Sequence, residues 1–386
     1  VLFIAIRVVL NTALRMIYPF LPVFGRGLGV ELSTMSQAVA LRSATGALGP
    51  FLASVADTRG RKLGMLLGLA LFIAATGLVI FSPTFPIFVA SLVLTLLGYF
   101  AFNPSMQAYL GDRVPYQRRG LALALPELGW SLSLIIGVPL AGLLIARYGW
   151  RAPFSVLAGL AGLAIILIAL ILPRDAARPA SQPGLWRMFG LVIAYVPALA
   201  GLLMGMLSGM ANELVVLVFG VWLENSFGLK IAALGSAAAL VGCAELGGEL
   251  FSAGLVDRIG KARAVGAGLV LNSLAAVALA VIGTSLFGAL AGLFLFFLSF
   301  EFVMVSSIPM MSEILPQARA TVMACFVAVI SLGRAMGDIL SPHLYALGQR
   351  QTHFSGLLAI SAGVALLNLL ALLALRSLSL SIPDHS

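Results

Sequence analysis

Polar residues are rare along this chain, and their positions cut it into long apolar runs. Residues 63 to 111 carry no charge, and Ser82-Pro83-Thr84-Phe85-Pro86 divides that stretch in two, as a Pro-containing turn should. An α-helix crossing the ~30 Å hydrocarbon layer needs about 20 apolar residues, so each part is long enough to cross once. The same pattern predicts crossings near 2 to 24, 34 to 56, 63 to 81, 87 to 110, 120 to 146, 152 to 172, 190 to 223, 231 to 256, 264 to 282, 286 to 312, 320 to 347 and 354 to 375. The runs are continuously apolar, whereas barrel strands would alternate over about ten residues. The sequence therefore predicts an all-α integral membrane protein with twelve transmembrane helices.

Composition agrees. Of 386 residues, 61% are hydrophobic and 10% charged, too few charges to clothe soluble domains. Cys243 and Cys325 each sit in an apolar run, and His343, His353 and His385 are scattered, so neither a disulfide framework nor a metal site is expected. The net charge of +9 is not gathered into a basic block, which argues against nucleic acid as a partner.

The basic residues follow a membrane rule instead. Fourteen of the 23 Lys and Arg fall in the even-numbered links and at the C-terminal end, five in the odd-numbered links, and Arg7, Arg15, Arg42 and Arg334 inside spans. By the positive-inside rule both termini are expected to be cytoplasmic. The stretch from 173 to 187 is Pro-, Ala- and charge-rich and splits the spans six and six, giving expected bundles at 1–172 and 188–386.

An internal repeat supports that division. After the second span the chain reads Ala53-Ser54-Val55-Ala56-Asp57-Thr58-Arg59-Gly60-Arg61-Lys62, and after the eighth Ala253-Gly254-Leu255-Val256-Asp257-Arg258-Ile259-Gly260-Lys261. Each copy puts an acid at a helix end, a Gly that lets the chain reverse, and then basic residues. This resembles the signature of the major facilitator superfamily, G-x-L-a-D-r-x-G-r-k between spans 2 and 3. Asp57, Gly60, Arg61 and Lys62 match it, and Asp257, Arg258, Gly260 and Lys261 repeat it. Gly149-Trp150-Arg151-Ala152-Pro153-Phe154 looks like a further turn of that family. The resemblance implies two pseudo-symmetric six-helix bundles that rock to move a small-molecule substrate across the bilayer. It also implies a gate in which Asp57 pairs with a basic residue such as Arg113, with Gly60, Arg61, Asp257, Arg258, Gly260 and Lys261 serving the two repeated turns. Gly137-Val138-Pro139-Leu140-Ala141-Gly142 carries pieces of the span-5 motif of drug–proton antiporters, although ordinary close packing explains these residues equally. The Arg that such antiporters place in span 4 is absent.

Acids inside spans cost about 2.5 to 3.5 kcal/mol each at the bilayer centre, which makes them candidates for function. They are Glu127, Glu213, Glu245, Glu249, Glu301 and Asp338. Glu245 and Glu249 are i and i+4 on one face of span 8, beside Gly247 and Gly248. With Glu301 and Glu213 they form the expected proton-coupling set. In the family, spans 1, 4, 7 and 10 line the cavity, so Asn11, Arg15, Asn212, Glu213 and Glu301 are the expected substrate contacts. A buried ion pair is the structural alternative for Glu213 and Glu301. Arg334 and Asp338, i and i+4 with opposite sign, are expected to satisfy one another.

First-half spans carry three Arg against one acid; second-half spans carry five acids against one Arg. Either opposed charges pair when the halves close, or the positive half receives an anionic group of the substrate; the first is preferred, because an unpaired buried Arg is costly. Arg7, near a helix end, could alternatively snorkel. The Met residues of spans 7 and 10 could make an adaptable wall for greasy ligands, although Met is also common facing lipid. No G-x-x-x-x-G-K-[ST] loop occurs, so ATP-driven pumping by this chain is not expected.

The sequence thus predicts a secondary transporter, not an enzyme: a monomer in the cell (inner) membrane, without cofactor, exporting a small amphipathic or drug-like molecule coupled to protons. The rivals are proton-coupled uptake of a polar metabolite and a non-transporting sensor or membrane-embedded enzyme. Short links and the lack of a nucleophile–base set disfavour the last two.

Overall fold

The computed structural model describes residues 1–49, 60–173, 185–350 and 355–381, without the side chains of 116–121, 185–187 and 379–381. Among the described residues there is no strand. The first helices are α1 (Leu2–Arg15), α2 (Leu21–Leu28), α3 (Leu32–Thr45), α4 (Arg61–Phe81) and α5 (Phe85–Arg113). They are followed by α6 (Tyr116–Glu127), α7 (Gly129–Leu132), a π-helical segment Ser133–Gly137, α8 (Val138–Tyr148) and α9 (Ala152–Ile171). Next come α10 (Leu185–Ala194), α11 (Val196–Val216), α12 (Phe219–Phe227), α13 (Ile231–Ile259) and α14 (Lys261–Ile282). The last are α15 (Leu286–Ile314), α16 (Arg319–Gly348) and α17 (Leu358–Ser381). The chain forms two compact units, Val1–Ser181 with Leu229–Gly242, and Gln182–Gly228 with Cys243–Ser386. The sequence places the whole of span 8 in the second bundle, whereas the start of α13, as far as Gly242, groups with the first unit: Gly235 lies against Pro139, and Gly242 against Leu134 and Ile135.

Among the described residues, ten helical segments are long and apolar enough to cross a membrane. The other two expected crossings are α1 with α2, and α3, which runs toward residues outside those described. The first crossing is not the continuous helix its apolarity predicts. Pro19 lacks an N–H and would clash with the carbonyl of Arg15, four residues back, and α1 ends at Arg15. Span 7 breaks likewise, at Leu217 and Val218 between α11 and α12.

Both breaks belong to the duplication. Short helices α2 and α12 follow them and are closed by left-handed glycines, Gly29 (φ 68°) and Gly228 (φ 62°). Each break frees a backbone carbonyl, and the freed oxygens correspond across the repeat. Arg42 donates from Nη1 to the Leu14 carbonyl (2.9 Å), whereas the Ser341 hydroxyl donates to the Leu214 carbonyl (2.7 Å). The repeated turns also correspond. Gly60 (φ 99°) and Gly260 (φ 88°) precede α4 and α14 in a conformation that only glycine adopts readily.

The packing is that of a membrane protein. Leu140, Ile166, Leu274 and Leu366 are each more than half exposed, the surface a lipid-facing helix presents. In the second unit Asn368 donates to Asn272 Oδ1, and Asn272 donates to the Phe296 carbonyl and to Ser299. The Gly149–Phe154 turn gains its role from stacking. Trp150 and Phe154 meet Phe24 and Phe88 with ring centroids 6.0 to 6.5 Å apart. Lys62 donates to the carbonyls of Ala169 and Leu172, where a cation suits the end of α9.

Helices α4 and α5 touch backbone to backbone. A Cβ on Gly98 would lie 2.6 Å from the Gly68 carbonyl oxygen. Gly98→Ala is therefore expected to cost about 1 to 3 kcal/mol as the helices are forced apart. Thermal unfolding in detergent checks this; a melting temperature equal to wild type would show that the contact yields freely.

Candidate functional site

In the first unit, Arg7, Asn11 and Arg15 recur at four-residue intervals, placing them on one face of α1. All three are buried, Arg7 to 1% and Asn11 to 0% exposure. Gly129 brings α7 against this face; a Cβ there would sit 2.5 Å from that of Arg7. Arg7 does not snorkel. Its Nη2 donates to Glu127 Oε2 at 2.6 Å, Nη1 donates to Asn103 Oδ1, and the guanidinium lies over the Tyr99 ring at 5.5 Å. Gln107 donates to Glu127 Oε1 at 2.9 Å. Arg15 donates to the Trp130 carbonyl (3.1 Å) and stacks 4.2 Å from that ring. Between the two cations, neither amide atom of Asn11 has a hydrogen-bond partner, nor has Arg7 Nε. Arg42 reaches Tyr18 as well as Leu14, with Nη2 donating to the phenol oxygen at 2.5 Å.

Gly137 earns its place by close approach, as the packing alternative requires. A Cβ there would fall 1.9 Å from Thr12 Oγ1, and one on Gly142 would fall 2.8 Å from the Phe20 ring. Pro139 lies just beyond the π-helical segment, a local irregularity that bends span 5 without breaking it.

In the second unit, Arg334 has an acid on a neighbouring helix as well as the one its spacing predicts on its own. Its Nε donates to Glu213 Oε2 of α11 at 2.9 Å, and Glu213 is fully buried. The i+4 position of Arg334 holds Asp338, also fully buried. Two glycines on α16 make the contact with Glu213 possible. A Cβ on Gly333 would lie 2.1 Å from the Met206 carbonyl oxygen, and one on Gly337 would lie 2.7 Å from Glu213 Cβ. Asn212, next along α11, is 5% exposed and its Oδ1 has no hydrogen-bond partner.

Glu245, Glu249 and Glu301 share a neighbourhood. Gly248 is the point where α13 meets α15, since a Cβ there would be 2.8 Å from Glu301 Cβ and 2.5 Å from the Leu298 carbonyl. Glu245 and Glu249 flank Gly248 in the chain, and one turn on, Ser252 and Ser306 bond at 3.1 Å. Glu245 is buried at 4% exposure, while Glu249 and Glu301 are half-buried.

At the repeated turns the structure pairs residues that spacing alone did not select. Arg61 Nε lies 3.6 Å from Asp112 Oδ2, and Lys261 Nζ lies 2.5 Å from Glu313 Oε1. The two pairs correspond across the repeat: cation on the turn, acid at the end of α5 or α15. Arg113 rests its guanidinium 4.7 Å from the Tyr109 ring. Asp257 and Arg258 are exposed, and Asp57 lies outside the described residues. Asn103, Gln107, Trp130, Asp112 and Glu313 are the residues that sequence reasoning passed over. Asn103 and Gln107 did leave a signal, as two amides one turn apart in a charge-free span.

Comparison with known proteins settles the family. The sequence pattern that describes the Major Facilitator Superfamily matches twice, over residues 3–201 and 201–384. The chain belongs to that superfamily. Its duplicated match is the two-unit repeat described above, and as a superfamily member it is a transporter and not an enzyme. The MFS-type transporter YceJ of Bacillus subtilis is 23% identical over 98% of this chain and 95% of its own. The multidrug resistance protein MdtG of Serratia proteamaculans is 30% identical over 45% of this chain and 43% of its own. Among solved structures, a bacterial homologue of the human lysosomal transporter Spinster, inward-facing and unoccupied, superposes with a TM-score of 0.71. It is 16% identical and covers 98% of this chain and 93% of its own. The all-α membrane fold of the superfamily is thereby established for this chain.

Proposed function

We propose that this transporter exports small amphipathic molecules by alternating access, driven by protons, from a cell membrane in which both termini face the cytoplasm. The observation that carries the reading is the approach of Glu301 to α13 at Gly248, on the helix that carries Glu245 and Glu249. Three carboxylates in so small a region repel one another when charged, and one proton relieves part of that repulsion. Charged and neutral forms differ by about 2.5 to 3.5 kcal/mol in hydrocarbon, enough to change the preferred conformation about a hundredfold. Export is supported by the multidrug-resistance relative, whose likeness covers less than half of either chain.

The repeated turns supply the gate in this reading. In each half the gate uses the pair beside its own turn, Arg61–Asp112 or Lys261–Glu313, with Gly60 and Gly260 shaping the turns and Asp57, Asp257, Arg258 and Arg113 assigned to the same role. Pairs this exposed are worth about 0 to 1 kcal/mol each, suited to a gate that must open.

Proteoliposomes test the coupling. Glu245→Gln and Glu301→Gln should insert and fold, because an amide mimics the neutral acid, yet should fail to concentrate substrate against its gradient when a pH gradient is imposed. Counterflow, which needs no net proton movement, should survive in at least one of them. Wild-type concentration by both variants would remove these carboxylates from coupling.

A further inference from the structure

We infer that Arg42, at the break between α1 and α2, is an anion-receiving residue of the transporter, and that it takes the carboxylate of an amphipathic substrate. Arg42 lies ten residues beyond Leu32, the first residue of α3, which puts it about 15 Å along that helix at 1.5 Å per residue. Glu31, which precedes α3, is exposed and marks the edge of the layer, so Arg42 stands near the middle of the membrane. A charge at that depth is costly unless an opposite charge meets it. Arg42 is 5% exposed, and among the described residues it meets only neutral groups. They are the Leu14 carbonyl at 2.9 Å, the Tyr18 phenol oxygen at 2.5 Å and the Tyr18 ring at 5.1 Å.

The internal repeat shows that the fold does not need this charge. In the second half the corresponding carbonyl, that of Leu214, is capped at 2.7 Å by the hydroxyl of Ser341, a neutral and completely buried donor. Capping a carbonyl freed by a helix break therefore accounts for a donor at position 42, but not for a guanidinium. The guanidinium is also only partly used. Leu14 and Tyr18 take two of its five N–H groups and fix its plane, and a planar carboxylate can accept two parallel N–H bonds from those that remain. The group is closed off from solvent here, so loading belongs to another conformation of the cycle.

This assignment rests on the transport reading above, and binding measured without transport separates the two. The test uses protein in nanodiscs of neutral lipid, titrated calorimetrically with 4-phenylbutyrate, 4-phenylbutylamine and the uncharged 4-phenylbutyramide. Wild type is expected to bind the carboxylate at least about tenfold more tightly than the amine or the amide. Arg42→Gln keeps an N–H for the Leu14 carbonyl and removes the buried charge, so it is expected to melt no lower than wild type. Its carboxylate affinity is expected to fall about tenfold to a hundredfold, since hydrogen bonds to a charged group are lost. Arg42→Lys keeps the charge without the fork and should bind between the two. Should Arg42→Gln fail to fold, Arg42→Lys must still prefer the carboxylate to the amide while binding it more weakly than wild type. Unchanged carboxylate affinity in folded Arg42→Gln overturns the site, as does a wild type that does not bind the carboxylate or binds the amine or the amide equally well. Arg42-dependent binding by a protein that carries out no counterflow would leave the site standing and defeat the transport reading. Counterflow of a cationic compound, untouched by Arg42→Gln, would do the reverse.

Discussion

Replacing Glu127 with Leu is expected to prevent the protein from accumulating in the membrane. Arg7 is 1% exposed, so loss of the carboxylate at 2.6 Å leaves a buried guanidinium with Asn103 as its remaining side-chain acceptor among the described residues. Breaking a buried pair from one side costs about 3 to 5 kcal/mol. The carboxylate is itself 47% exposed, and water reaching that end of the cluster puts the loss nearer the lower figure. Such a loss is a large share of the whole stability of most folds. The cause is the stranded charge, so a second change should reverse it: Arg7→Met with Glu127→Leu should recover most of the yield and melting temperature. Size-exclusion profiles of tagged variants in mild detergent read both. A Glu127→Leu protein that expresses and melts like wild type would mean that Asn103 and Tyr99 suffice to hold Arg7.

Gly333→Val should be as damaging by another route. Its first methyl-bearing carbon would stand 2.1 Å from the backbone carbonyl oxygen of Met206, and no rotamer relieves a contact with main chain. Helices α11 and α16 must then separate by more than an ångström or so, which opens the contact at Gly337 and stretches the 2.9 Å bond between Arg334 and Glu213. Overpacking typically costs about 1 to 3 kcal/mol, and here the loss of a fully buried acid's partner is added. We expect about 3 kcal/mol or more, and little folded protein. Gly363→Ala, whose Cβ would meet only the flexible ends of Leu214 and Leu344 at 3.0 and 3.1 Å, should by comparison melt close to wild type. If the two variants behave alike, the α11–α16 contact is softer than its distances imply.

The same contact explains what the sequence could and could not reveal. Where helices lie is written locally: charge-free runs placed the crossings, Pro19 marks the break after Arg15, and the 200-residue repeat placed the turns at Gly60 and Gly260. Which residues meet is not local. Arg334 has an acid one turn away, but its contact with Glu213, 121 positions off, exists because Gly333 and Gly337 let α11 come within backbone contact. Arg7 looked free to reach the interface; Gly129 instead presses α7 against it and delivers Glu127. Glu245 and Glu249 were readable as one face of a helix, whereas the approach of Glu301 to that face depends on Gly248. In each case the decisive residue was a glycine, which announces that something comes close but not what.

The paired turns also have a surface chemistry. Helices α5 and α15 each run 29 residues, about 43 Å at 1.5 Å per residue, some 13 Å more than the hydrocarbon layer. Asp112 and Glu313, at their ends, therefore stand among lipid phosphates rather than acyl chains. Arg61 and Lys261 have two kinds of anion within reach there, the carboxylate across the turn and the head groups of the leaflet. Anionic lipid and salt become competitors for the same cations, so the strength of each pair depends on the leaflet around it and not on its two residues alone.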